Sequence, residues 1–293
     1  MTNEDEKLFM IWIMLPAYNE QNDLPSLLEK LEKELKEIDH TLVVINDGST
    51  DKTDEILAAY EGRLNLHVVQ HPINRGLGET ERDGFEYIAW NAARDDLVVR
   101  VEGDDTHEPR YMFDLIDKLN EGYDVVNTSR FQPGGGQHGV SRYHAFVSRS
   151  ANIFMRVVLG IEGVSDYSCG YRAYRASVLQ DALAIFGNNL IQLRGLGFTS
   201  TLEIIVKLNV LGCRFAEVPF VLRYDQKKGR SKMVGSITML GYFIMALLYW
   251  WPITGWRWRF RGLRKVYRED PAAAVEAYRL DKAKKTISSN MGL

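Results

Sequence analysis

An α/β fold with a mostly parallel, helix-covered sheet is predicted by three features of this sequence. Strand-like and helix-like segments alternate over roughly the first 130 residues. The strand-like runs are apolar rather than alternating, as strands buried on both faces are. Most of them end in a polar cluster, where ligands gather on an open sheet.

The elements follow in order. Leu8–Leu15 (LFMIWIML) is a short apolar run suited to a buried strand. Leu24, Leu27, Leu28, Leu31 and Leu35 recur at helical spacing, with Asn22 and Asp23 as capping candidates and Pro25 in the first turn. Thr41–Ile45 reads as the second strand, followed by a helix that opens after Ser49-Thr50 and runs to about Tyr60. Leu66–Val69 is a strand and Glu79–Ala92 a helix; Leu97–Val101 a strand and Arg110–Asn120 a helix; Asp124–Ser129 closes the series. The second half is less regular. Pro133–Gly136 is a flexible loop, Ala145–Leu159 and Ser200–Leu211 are helical, and Met233–Trp256 carries no charge.

Composition narrows the class. With 293 residues, 45% apolar and 26% charged, the chain has ample length for a packed core and is not disordered. Two cysteines, Cys169 and Cys213, exclude a disulfide scaffold. The acidic N-terminus MTNEDEKLF lacks the basic start of a secretory signal, so no targeting peptide is expected. The net charge of −3 conceals a division: Gln226–Lys265 holds nine Lys and Arg and no acid, which leaves −12 for the remainder. No nucleic-acid partner is expected.

The polar clusters are PAYNE at Pro16–Glu20, NDGSTD at Asn46–Asp51, NRGLG at Asn74–Gly78 and EGDDTHEP at Glu102–Pro109. Together with Ser129-Arg130-Phe131, DYSCGYRAY from Asp166, Glu217-Val218-Pro219 and GRSKM from Gly229, these resemble the family 2 glycosyltransferases. The likeness is strongest to the dolichyl- and polyprenyl-phosphate mannose synthase branch and covers about residues 10–232. It implies a GT-A fold, a nucleotide-sugar donor, a divalent metal (Mg²⁺ or Mn²⁺) and inversion at the anomeric carbon. By resemblance, Pro16, Ala17, Tyr18, Glu20 and Asp47 line the base and ribose pocket, while Arg75 and Gly76 approach the donor. Glu20 and Asp51 also suit helix capping.

The metal motif departs from the family pattern. Alignment on Thr106-His107-x-Pro109 places Glu102, Asp104 and Thr106 on the metal positions, with Glu where Asp is usual. Glu keeps a hard oxygen ligand but adds a methylene. The rival register, Asp104 with Asp105, points its carboxylates to opposite sides of a strand.

On the acceptor side, Arg130 and Ser148 match family positions that contact a lipid phosphate. The family's further arginine is His144 here, so its role falls to Arg142 or to protonated His144. Arg149 follows Ser148. Arg223, Ser231 and Lys232, with Lys227 and Lys228, sit in a loop suited to folding over phosphates and excluding water. Asp104 and Asp166 are the candidate catalytic carboxylates. A sugar hydroxyl acceptor would need Asp166 as general base; an ionised phosphate would not, and Asp166 would then orient Arg172 or the sugar. Cys169 and Cys213 read as packed residues.

Met233–Trp256 is 24 uncharged residues, long enough at face value to span a bilayer. Gly235, Gly241 and Pro252 interrupt it, tryptophans cluster at one end, and basic residues flank both ends. Those features fit a segment lying in the headgroup region; a span and a soluble core helix are the alternatives. The expected organisation is a catalytic domain over 1–232, a membrane-interface segment over 233–265, and a C-terminal helix and tail over 266–293. The expected activity is transfer of a hexose, mannose from GDP-mannose, to polyprenyl phosphate, by a membrane-associated enzyme whose catalytic domain is cytoplasmic. A UDP-sugar enzyme and an idle sugar-nucleotide-binding subunit are the alternatives.

Overall fold

The computed structural model describes residues 9–229, 235–252 and 255–279. Ser231 and Lys232 lie outside the described residues. In chain order the elements are β1 (Ile11–Ala17), α1 (Leu24–Glu34), β2 (His40–Asn46), α2 (Thr53–Ala59), β3 (Leu66–Gln70), α3 (Leu77–Asn91), β4 (Leu97–Arg100), α4 (Tyr111–Asn120) and β5 (Val125–Ser129). There follow β6 (Gly136–His138), α5 (Arg142–Leu159), β7 (Arg172–Arg175), α6 (Ala176–Phe186), α7 (Thr199–Leu211), β8 (Phe215–Pro219) and β9 (Val221–Arg223). The chain continues through α8 (Gly235–Trp250), α9 (Trp256–Arg259), α10 (Leu263–Glu269) and α11 (Pro271–Tyr278).

Seven strands form one sheet in the order β3-β2-β1-β4-β7-β5-β8. All neighbours pair in parallel except β7, which runs antiparallel to β4 and β5. The alternation along β1 shows why its sequence is apolar throughout. Trp12 and Met14 enter a core shared with α3, α6 and α7, whereas Ile11, Ile13 and Leu15 enter a second core beneath α1 and α4. Each of α1's buried leucines (24, 27, 28 and 31) contributes roughly 1.5–3 kcal/mol of apolar burial.

This topology brings the carboxyl ends of β1, β2, β4 and β5 to one edge. Because β7 is reversed, the Asp166–Gly170 segment enters at that same edge. A small parallel pair, β6 with β9, covers it and opposes His138 to Arg223.

The uncharged segment is shorter in helix than in sequence. α8 has 16 residues and ends two before Pro252, whose ring cannot continue a helix. At 1.5 Å per residue it is about 24 Å long. No described helix is long and apolar enough to cross a membrane. Met245 and Tyr249 of α8, with Trp256, Leu263 and Tyr267, join the core of α6 and α7.

Candidate active site

A cavity of about 450 Å³ opens at the carboxyl edge of the sheet. Pro16, Ala17, Tyr18, Glu20, Asp47, Arg75 and Gly76, expected at the nucleotide, all line it, as do Glu102 and Asp104. Asp47 builds one wall: its two oxygens accept the backbone N–H groups of Arg75 (2.9 Å) and Gly76 (2.8 Å). Gly76 sits at φ 88°, a left-handed conformation that favours glycine, immediately before α3. His71, a residue sequence reasoning missed, is buried with Nδ1 2.6 Å from Asp47 and Nε2 3.1 Å from Asp83. Arg75 in turn donates to Asp83 (2.5 Å). Asp47 is therefore the anchor of the 71–76 turn.

At the end of β4, the donor atoms of Glu102, Asp104 and His107 lie within 4.8 Å of one another. Two carboxylates and an imidazole are a suitable donor set for a divalent ion. His107 is buried with no hydrogen-bond partner at Nδ1, and burial first of all pushes its pKa down, which keeps a lone pair on the neutral ring. The residues present therefore fit a metal. Thr106, expected at the same metal positions, stands beside the cluster, and its hydroxyl donates to Asp104 Oδ1 (2.7 Å) and orients that carboxylate. Asp105 adopts φ 56° and its carboxylate meets Lys30 at 2.9 Å, apart from the convergent group.

Two cations adjust this cluster. Arg100, fully buried, bridges Glu81 and Glu102 at 2.8 Å each. Burial opposes its charge, but those two carboxylates keep it firmly protonated. A Cβ on Gly170 would overlap the Arg100 guanidinium and the Glu102 carboxylate, which explains the glycine in that motif. Lys227 reaches Asp104 Oδ2 at 2.5 Å. Burial works against the Asp104 carboxylate, yet the Lys227 charge, with hydrogen bonds from Lys227 and Thr106, holds its pKa below the ordinary value.

The loop carrying Lys227 is tied down at two further points. Lys30 donates to the side chain of Gln226 (3.0 Å), and the backbone N–H groups of Lys228 and Gly229 donate to Asp23 (2.7 and 2.9 Å). Asp23 precedes α1 but makes no side-chain cap there. Its buried carboxylate serves the loop instead.

A second constellation lies beside the first, with Cys169 Sγ 3.9 Å from His107 Nε2. Arg130 grips Asp166 in a fork, Nε to Oδ2 at 2.7 Å and Nη2 to Oδ1 at 2.8 Å. Its Nη2 also donates to Ser168 (2.7 Å) and Ser148 (3.3 Å). Burial opposes the Asp166 carboxylate, but the Arg130 charge and hydrogen bonds hold its pKa below the ordinary range. Asp166 thus orients Arg130; Arg172, the expected partner, donates to the carbonyls of Tyr167 and Thr201. Glu217 of β8 accepts the N–H groups of Ser165 (2.6 Å) and Asp166 (2.8 Å) and fixes that turn. Cys169 is buried, and desolvation pushes its thiol up to about 11, which disfavours the thiolate at neutral pH. Cys213 is buried in the core.

Among the described residues, the remaining acceptor candidates are not drawn into this cluster. Arg142 and His144 are exposed at the start of α5, where His144 Nδ1 lies 2.9 Å from the capping Ser141. Arg223 pairs with Asp225 (2.9 Å), while its N–H donates to the Thr106 carbonyl.

A nucleotide-sized cavity at the carboxyl edge of a mostly parallel sheet, bearing convergent carboxylates, defines a GT-A-like fold. The glycosyl transferase family 2 model matches residues 12–183, and the chain belongs to that family; it is a glycosyltransferase. It is 30% identical over 256 residues to the polyprenol monophosphomannose synthase of Mycolicibacterium smegmatis, spanning 86% of this chain and 90% of that protein. Identity is also 30% over 253 residues to the undecaprenyl-phosphate mannosyltransferase of Micrococcus luteus, spanning 86% and 96%. Among solved structures, glucosyl-3-phosphoglycerate synthase from Mycobacterium tuberculosis with Mn²⁺, UDP and phosphoglyceric acid superposes with a TM-score of 0.57. Identity there is 20%, over 82% of this chain and 78% of that one.

Proposed function

We propose that the protein transfers mannose from GDP-mannose to a polyprenyl monophosphate at a membrane surface. The observation that carries this reading is the state of Asp166. A hydroxyl acceptor requires a free general base, but both oxygens of Asp166 are engaged by Arg130 and its pKa is lowered. An acceptor phosphate is already ionised and needs a cation rather than a base. Arg130, flanked by Ser148 and Ser168, supplies one. The names of the two 30%-identical relatives agree with a lipid-phosphate acceptor and a mannosyl donor.

In this reading a phosphate oxygen of the acceptor attacks the anomeric carbon, the bond from that carbon to the nucleoside diphosphate breaks, and GDP departs. Glu102, Asp104 and His107 would hold Mg²⁺ or Mn²⁺, which when bound neutralises the diphosphate's developing charge. Asp47 and Gly76 shape the donor pocket, Arg130 and Ser148 position the acceptor, and the 226–229 loop excludes water.

What supports a membrane surface is a set of exposed apolar side chains on two packed helices. Tyr143, Phe146, Ile153 and Val157 emerge from α5; Leu240, Phe243 and Leu247 emerge from α8. The helices meet through Phe154 and Phe243, ring centroids 5.4 Å apart. Such a face fits an interfacial attachment from the cytoplasmic side. Thermal unfolding with Mn²⁺ and either GDP or UDP tests the donor assignment. GDP should raise the melting temperature by several degrees more; a shift with UDP alone overturns the mannose reading.

A further inference from the structure

Beyond the donor and acceptor constellations, a cavity of about 580 Å³ lies at the far end of the apolar face. Its walls include Val157 of α5, Trp250 of α8, and Arg257, Trp258, Arg261 and Arg264 from α9 to α10. Three arginines line it and no acidic residue does.

We propose that this cavity binds the phosphate headgroup of an anionic phospholipid, a site distinct from the acceptor's. The inference rests on the membrane reading above. The guanidinium of Arg257 stacks 4.2 Å over the Trp250 ring, and that of Arg261 lies 5.9 Å from the Trp258 ring centroid. Stacking pre-orders a guanidinium while leaving its edge N–H groups to a planar fork that matches phosphate. Arg264 is held by Asn209, to whose backbone and side-chain oxygens it donates, so one wall is fixed. Among the described residues, no carboxylate pairs with Arg257 or Arg261.

The position supplies the rest of the recognition. Val157 is 80% exposed, and Leu247, Trp251 and Trp258 are exposed beside it. A lipid whose phosphate enters between the arginines would lay its acyl chains along this surface. Tryptophan at such a boundary suits the headgroup level. The polar end of the site is cationic and the adjoining end apolar, which is complementary to an anionic phospholipid: a free phosphate would leave the apolar end unused, and a choline headgroup would bring a cation against the arginines.

The test is vesicle sedimentation with the full chain, comparing phosphatidylcholine vesicles with vesicles containing phosphatidylglycerol. Wild-type protein should bind the anionic vesicles at least tenfold more tightly, and the double variant Arg257→Gln/Arg261→Gln should lose roughly tenfold of that. The double variant Arg257→Lys/Arg261→Lys keeps the charge and removes the fork. It should recover only part of the preference, whereas full recovery would mean diffuse attraction and overturn the site. Equal binding to both vesicles, or an unchanged preference in the glutamine variant, also overturns it while leaving the membrane reading in place. Binding to neither vesicle sinks both. Competition by millimolar inorganic phosphate at constant ionic strength would assign the cavity to free phosphate and contradict a lipid site. Unchanged melting temperatures of the variants show that the fold is retained.

Discussion

The ammonium of Lys227 lies 2.5 Å from Asp104 Oδ2, on the carboxylate that the convergent cluster would offer a metal. A cation held at Asp104 would compete with this ammonium for the carboxylate, while the loop keeps its ties to Lys30 and Asp23. Lys227→Met should bind Mn²⁺ roughly three- to tenfold more tightly without nucleotide, measured by calorimetry, while turnover falls. Unchanged or weaker Mn²⁺ affinity would count against competition.

Asp166 and Arg130 form a buried ion pair on the acceptor side of the site. Asp166→Asn leaves a buried guanidinium without its counter-charge and should cost about 3–5 kcal/mol in denaturant unfolding. The folded-state pKa of Asp166 lies below the ordinary carboxylate value, so its contribution is complete above about pH 4 and declines as pH falls through the folded value. The gap between wild type and variant should therefore narrow below about pH 4. A constant gap down to about pH 3 would contradict the pairing.

Glu217 acts on the acceptor side through the 165–166 turn and through Gln132, whose side chain donates to it at 2.9 Å. Glu217→Gln retains a carbonyl acceptor for the two backbone N–H groups but loses the oxygen that accepts from the Ser165 hydroxyl and the Gln132 amide. Turnover should fall about tenfold with the donor KM unchanged, since Glu217 does not line the donor cavity. An increase in donor KM with unaltered kcat would refute a positioning role.

His107 and Thr106 distinguish two versions of the metal site. His107→Gln should weaken Mn²⁺ binding, read by the spectroscopic signal of free Mn²⁺, about tenfold or more. Thr106→Val, which removes only the hydrogen bond to Asp104, should have a smaller effect. The reverse order would make the threonine the nearer ligand.

Much of this was legible in the sequence because its signals are local. The continuous apolar runs of β1 and β2 announce burial on both faces, and the seven expected nucleotide residues line one cavity. What escaped depends on long-range packing. β7 lies within DYSCGYRAYR, where motif residues obscure any strand pattern, and only its pairing with β4 and β5 makes it a strand. Asp23 looked like a helix cap, yet its partners are the backbone of Lys228 and Gly229, more than 200 residues away. His71 meets Asp47 through the fold of a turn that no spacing reveals. The uncharged run from Met233 reads as long enough to span, but α8 stops two residues before Pro252 and its described part is 16 residues.

The most direct test of the central claim is product partition. Purified protein, Mn²⁺, vesicles containing undecaprenyl phosphate and radiolabelled GDP-mannose should yield label in the organic phase, dependent on both lipid phosphate and Asp104. Label that remains water-soluble, or a lipid product formed only from a UDP-sugar, would contradict it.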